Sequence, residues 1–302
     1  MIPPWISSAK DLVTSRQATR EGFLKQALIK TDRATPFVRD AERLLSVLDK
    51  AASYGDLAAS RDPWVQDSLL SAAGFSDKAK AHLSDRDLEL ALSEALAEIS
   101  RRATDSWQHE IVYRFLLTRG DTLGGIMRNV IGALGAVQLA SAIVEALAQK
   151  RPPARLEKSA GNAGKITSIS WEDRLLVFDR KPHFVDKNVD AVLYDTRSES
   201  VVRGRGSRSH PRCLACGELK GGIDPAGADE HWKTAATALQ RIREGCSSQD
   251  LPVPATFFVA AAIEQAMAEE IFAQLEKGLL DCAANLTAPE QLSGLVSWLI
   301  AL

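Results

Sequence analysis

Apolar residues recur at the helical spacing i, i+3, i+4 and i+7 throughout the first half of the chain. Ser15–Lys30, Pro36–Ala52, Asp62–Gly74 and Ser84–Ala103 each carry such a stripe. Ser or Asp stands at several of the starts, where a side-chain oxygen caps free backbone N–H groups. SWQHEIVYRFLLT and NVIGALGAVQLASAIVEALAQK predict two further helices, so residues 1–150 read as a helical domain. The pattern then changes: Lys150–Lys165 brings paired prolines and glycines, and beyond it β-branched and aromatic residues alternate. Strands are predicted at Lys165–Trp171, Arg174–Asp179, Val189–Asp195, Cys213–Lys220 and Ala255–Ala261, and helices at Ala226–Glu244, Ala262–Lys277 and Pro289–Leu302. Residues 151–302 thus predict a mixed β-sheet flanked by helices, and the whole chain an α+β protein.

Composition adds bounds. A chain of 302 residues with 45% hydrophobic content buries one large core or two smaller ones. The first 20 residues lack the basic start and apolar run of a signal peptide, and no stretch approaches the roughly 20 apolar residues of a membrane span; the expected location is the cytoplasm. Cys213, Cys216, Cys246 and Cys282 are too few for a disulfide scaffold and read as reduced thiols. The formal charge of −2 conceals an uneven distribution: Arg151–Lys220 holds 14 Lys or Arg against 9 Asp or Glu, whereas Ala255–Leu302 holds one lysine against six acids. Local positive charge is enough for one face to meet a polyanion.

The candidate chemistry gathers in GELKGGIDPAGADEHWKTA, Gly217–Ala235. On a strand, residues i and i+2 share a face, so Glu218 and Lys220 project side by side. A carboxylate holds a divalent metal, and a neighbouring ammonium orients water and stabilises charge at phosphorus; the pair suits phosphodiester hydrolysis. Mg²⁺ takes oxygen ligands, commonly one or two carboxylates with water and phosphate. A second acid, Asp190, opens the preceding strand, where an antiparallel neighbour delivers it to the same place. By itself E-x-K is also what any exposed strand carries as a solvated face. An acid at a strand start followed by an apolar strand ending in E-x-K is the arrangement of the PD-(D/E)xK nucleases.

The whole 19-residue string resembles the AvaI/BsoBI family of type II restriction endonucleases, in which the acid–lysine pair is followed by a glycine-rich turn and a histidine. RGDTLGGIMRN, Arg119–Asn129, resembles a segment of the helical part of such enzymes. One departure is that Val189, not proline, precedes Asp190, which leaves Asp186 and Asp195 as rivals for the first metal ligand. The resemblance implies a PD-(D/E)xK catalytic domain over 151–302 and a helical domain over 1–150 that embraces DNA or supports a dimer. It implies that Asp190 and Glu218 bind Mg²⁺ with the Leu219 carbonyl as an extra ligand, that Lys220 assists at the water or phosphate, and that His231 is a candidate general base. His231 reads equally as a histidine on the first turns of a helix.

Asp224-Pro225 reads as a helix cap; in the resembling family the matching acid contacts bases, and a carboxylate accepts from cytosine N4. Both hold only if the helix begins later, near Asp229. Arg203, Arg205 and Arg208 lie in an arginine-rich loop suited to phosphates, Lys233 adds a cation, and Arg128 with Asn129 suits bidentate contacts to guanine or adenine. Cys213 and Cys216 lack a second pair at zinc-ribbon spacing, and on a regular strand their thiols face opposite sides. The expected protein is a homodimeric, Mg²⁺-dependent endonuclease acting on a short palindrome in double-stranded DNA, CYCGRG or close to it, with a cognate methyltransferase in the same system. The rivals are a structure-selective repair nuclease and a non-cleaving DNA-binding protein on the same fold.

Overall fold

A computed structural model describes residues 2–58, 60–102, 106–148, 154–159, 162–197 and 211–302. Two compact units are present, one formed by Met1–Leu24 with Val130–Leu302 and the other by Lys25–Asn129. The sequence pattern draws its boundary at residue 150. The units divide instead inside two long helices, in one of which, Trp107–Ala146, the apolar residues near the two ends pack into different cores.

The Lys25–Asn129 unit is helical. It holds most of α2 (Arg16–Leu48), then α3 (Tyr54–Ala58), α4 (Pro63–Ala72), α5 (Asp77–Lys80), α6 (Asp85–Arg102) and the first part of α7 (Trp107–Ala146). Its core joins Leu44 and Leu48 of α2, Leu69 of α4, Leu96 of α6, and Ile111 and Phe115 of α7. Asp62 caps α4 through Trp64 N and Val65 N, with Pro63 at the first helical position. The sequence predicts α2 and α7 each as two helices, yet each is continuous, α2 with Pro36 inside it. By length and composition α7 is also long and apolar enough to cross a membrane, contrary to the expectation drawn from the sequence. Its Leu139, Ala140 and Ile143 pack in the core of the sheet unit.

The sheet unit carries seven strands in the order β1-β2-β3-β4-β5-β6-β7. These are β1 (Arg155–Ser159), β2 (Asn162–Trp171), β3 (Arg174–Arg180), β4 (Val189–Tyr194), β5 (Cys213–Lys220), β6 (Ala255–Ala260) and β7 (Cys282–Asn285). Pairing is antiparallel from β1 to β5 and parallel from β5 to β7. Three helices follow the last three strands: α8 (Ala228–Ser247), α9 (Gln265–Glu276) and α10 (Pro289–Ala301). The parallel strands need these crossovers, and the helices cover both faces of the sheet. Cys216, Phe258, Ala260 and Ala283 face a core shared with Trp232 and Leu239 of α8 and Ile271 of α9. Ala215, Leu219, Phe257 and Val259 face the opposite core with Leu139 and Ile143 of α7 and Leu295 and Leu299 of α10.

Two strands escaped the sequence pattern. β1 lies inside the stretch read as a break, and β7 is four buried residues, CAAN, too short and too uniformly small to show alternation. The expectation for Cys213 and Cys216 is also corrected, since their sulfurs lie 3.5 Å apart. The β4–β5 register slips between Leu193 and Tyr194, which pair with Ala215 and Cys213, so Leu214 is an extra residue. A bulge of one residue brings positions three apart to the same face. All four cysteines are free and buried.

Candidate active site

The antiparallel β4–β5 pair brings the start of one strand to the end of the other. Ala191 faces Gly217 and Val192 faces Cys216, so one step further Asp190 stands opposite Glu218. Lys220, two residues on, shares the face of Glu218. Its Nζ donates to Asp190 Oδ2 at 3.0 Å and to Glu218 Oε2 at 3.0 Å. The Leu219 N–H donates to the same Asp190 oxygen at 2.9 Å. Residues drawn from separate strands by the sequence reading are thus in one hydrogen-bonded cluster.

Burial sets its electrostatics. The Glu218 side chain is 5% exposed and that of Asp190 39%, with Lys220 between at 22%. Desolvation, followed by the negative charge of Asp190, pushes the Glu218 carboxyl up to about 7, against a smaller opposing pull from Lys220. Burial also works against the Lys220 ammonium, but the two carboxylates outweigh it and raise its pKa above the ordinary lysine value. Lys220 is therefore a donor and a fixed positive charge at neutral pH. It is not a proton acceptor.

The donor set fits a hard divalent cation. Two carboxylates meet where burial and their mutual repulsion make one of them resist ionisation, and Mg²⁺ needs no more than one or two protein carboxylates. Among the described residues no group of three or more His, Cys, Asp or Glu gathers into a metal site, here or elsewhere, so the cluster offers two carboxylates and no third such ligand. The Leu219 carbonyl is a further oxygen: its N–H faces Asp190, whereas the next carbonyl, of Lys220, accepts from Ala261 N at 2.9 Å, so Leu219 and Lys220 point their backbone groups to opposite edges.

The two rival acids stand apart from this cluster. Asp186 is almost wholly exposed and paired with Lys181, and Asp195 accepts from Arg174 at 2.7 Å. After Lys220 the chain runs through a tight passage. A Cβ on Gly221 would lie 2.6 Å from the backbone of both Ile131 and Gly135 on α7, a contact only glycine permits. The α8 helix starts at Ala228, with Gly227 at φ 96° before it, so Asp224 is not its cap. Asp224 is exposed and accepts from Ala226 N at 2.9 Å, a local turn that leaves its other oxygen open. His231 is exposed in the first turn of α8 and, among the described residues, its imidazole has no partner.

Lys233 is exposed and pairs with Asp229 at 2.5 Å. Arg128 and Asn129 are exposed on α7, at the end of the helical unit. Arg203, Arg205 and Arg208 lie outside the described residues. The sequence reading missed the Leu219 N–H as a partner of Asp190, because a backbone donor leaves no mark in residue type. It also missed Thr14, whose hydroxyl reaches the strand next to β5 from the far end of the chain.

Comparison with known proteins places this chain in a family. The family described as restriction endonuclease BsobI matches residues 4–302. The type II restriction enzyme AvaI of Nostoc sp. is 41% identical, covering 98% of this chain and 98% of that protein, and the AvaI enzyme of Anabaena variabilis matches equally. The type II restriction enzyme BsoBI of Geobacillus stearothermophilus is 38% identical over 98% of this chain and 96% of its own length.

Proposed function

The chain belongs to the BsobI family of restriction endonucleases, and on that footing we propose that the Asp190–Glu218–Lys220 cluster is its phosphodiester-cleaving centre, of PD-(D/E)xK type. The protein is a type II restriction enzyme, a site-specific deoxyribonuclease acting on double-stranded DNA. Enzymes of this kind generally need a divalent metal ion, and we assign Mg²⁺. The observation that carries the assignment of the centre is the junction of two carboxylates and one ammonium within 3.0 Å at the mouth of the β4–β5 pair.

Asp190, Glu218 and the Leu219 carbonyl would hold the metal, which would supply positive charge at the phosphate and acidify water. Lys220, kept protonated by its two carboxylates, donates to a non-bridging phosphate oxygen and stabilises charge that grows as water attacks. The water oxygen bonds to phosphorus while the bond to the 3′ oxygen breaks, leaving a 5′-phosphate and a 3′-hydroxyl. His231 takes the proton of the water. An exposed imidazole with no partner among the described residues suits that task.

Recognition is assigned to the loop beyond Lys220 and to basic side chains. Asp224 retains an oxygen for cytosine N4, Arg128 and Asn129 reach base edges, and Lys233 with Arg203, Arg205 and Arg208 meets phosphates. The proposed site is CYCGRG or close to it, cut by a two-fold homodimer in the cytoplasm, with a methyltransferase protecting the host's own copies. Incubation with phage DNA and Mg²⁺ tests this. Discrete fragments, lost when the metal is chelated, are expected; a smear, or no cutting at all, would refute site-specific cleavage.

A further inference from the structure

The catalytic cluster depends on where the end of β5 sits, and that end is tied to the other terminus of the chain. The Lys220 carbonyl accepts from Ala261 N at 2.9 Å, just past the last residue of β6. The Ala261 carbonyl in turn accepts from the Thr14 hydroxyl at 2.9 Å. Thr14 Oγ1 also accepts from Ile263 N at 2.9 Å and from Asn285 Nδ2 at 2.8 Å, and the Thr14 N–H donates to the Ile263 carbonyl at 2.9 Å. One donated and two accepted bonds use the full capacity of a hydroxyl.

The partners are not solvated surface groups. Asn285 is 1% exposed, and its Nδ2 also holds the Leu12 carbonyl at 2.8 Å. Gln291, itself buried, donates to the Asp11 carbonyl and accepts from Asn285 N at 2.8 Å. The same N-terminal segment touches the chain beyond Lys220 as well. A Cβ on Gly22 of α2 would lie 2.4 Å from Ile223, three residues past the lysine. Residues 11–22 therefore bear on Ala261, which is bonded to the Lys220 carbonyl, and on the chain three residues beyond Lys220.

We infer that Thr14 is a positioning residue for Lys220, and that the N-terminal segment is a working part of the cleavage centre. The inference rests on the assignment of Lys220 to catalysis. Through Ala261 the Thr14 hydroxyl fixes the level at which β5 ends, and so the point from which the Lys220 ammonium reaches both Asp190 and Glu218.

The test uses the full-length protein and a short duplex carrying CTCGAG. Thr14→Val keeps the shape and removes the hydroxyl, Thr14→Ala removes it without bulk should valine prevent folding, and Thr14→Ser restores it. Single-turnover cleavage with saturating Mg²⁺ should fall at least about tenfold in the valine or alanine variant, since small misplacements of a catalytic group cost that much. Duplex affinity, measured without cleavage in Ca²⁺, should stay within about twofold, because uniform binding is not what the hydroxyl serves. Thr14→Ser should recover to within about threefold of wild type, as the same bonds re-form. Cleavage by the folded valine or alanine variant at the wild-type rate, or a serine variant as slow as they are, overturns the inference. A wild-type protein that cuts no DNA overturns the proposed function instead.

Discussion

Burial opposes the charge of both Glu218 and Lys220, but Lys220 lies beside two carboxylates, whereas Glu218 has the like charge of Asp190 beside it as well as the ammonium. Glu218→Ala and Lys220→Ala are each expected to lower cleavage by about a thousandfold or more while much of duplex binding survives, since both act on charge that develops only at the reacting phosphate. A gel-shift assay in Ca²⁺ beside a cleavage assay in Mg²⁺ measures both. His231→Ala should slow cleavage by about a hundredfold, the usual contribution of a positioned base, and a variant cutting at the wild-type rate removes histidine from the mechanism.

The raised Glu218 pKa has a consequence for stability. In the metal-free fold the carboxyl keeps its proton up to about pH 7, whereas an unfolded chain loses it near 4.5. The folded state binds the extra proton between those values, so this group's contribution is intact below about pH 4.5 and is lost as pH rises through 7, a change of about 3 kcal/mol. Urea unfolding in chelator should show wild type losing stability relative to Glu218→Gln across that window. Added Mg²⁺ should stabilise the protein more at pH 8 than at pH 5.5, because the metal binds the ionised carboxylate.

At the scale of elements, the sequence was most legible where one face of a strand or helix is buried. The five expected strands are all present, with Val189–Tyr194 and Cys213–Lys220 matching the expected starts. Boundaries failed where the local signal conflicts with packing. Pro36 cannot donate to the preceding turn, yet α2 runs through it into the core formed by Leu44 and Leu48. Pro36→Ala should therefore raise the stability of the helical unit by about 1–3 kcal/mol, measured by urea unfolding; a loss of stability would mean that the proline is accommodated by something other than a continuous helix. The bulge at Leu214 was invisible for a related reason. Alternation in sequence assumes a regular strand, and the slip that unites Cys213 and Cys216 belongs to the pairing with β4.

At the scale of the whole molecule, a palindromic site cut in both strands calls for a two-fold assembly. Sedimentation equilibrium should return twice the chain mass of 32.8 kDa, and duplex affinity should fall steeply with salt if several basic side chains meet phosphates. A monomer that still cuts both strands in one binding event would exclude the symmetric arrangement.

Residue types and their spacing by themselves determined the helical and sheet halves and the shared face of Glu218 and Lys220. Those features depend on periods of 2 and 3.6 residues, which a sequence displays directly. Only the tertiary structure decided that Asp190, and not Asp186 or Asp195, meets Lys220 and the Leu219 N–H through Oδ2, that two carboxylates keep Lys220 charged while burial raises the Glu218 pKa to about 7, and that the Thr14 hydroxyl reaches Ala261, the residue bonded to the Lys220 carbonyl. Each of these is set by burial or by hydrogen bonds between residues distant in sequence, and neither leaves a local pattern to read.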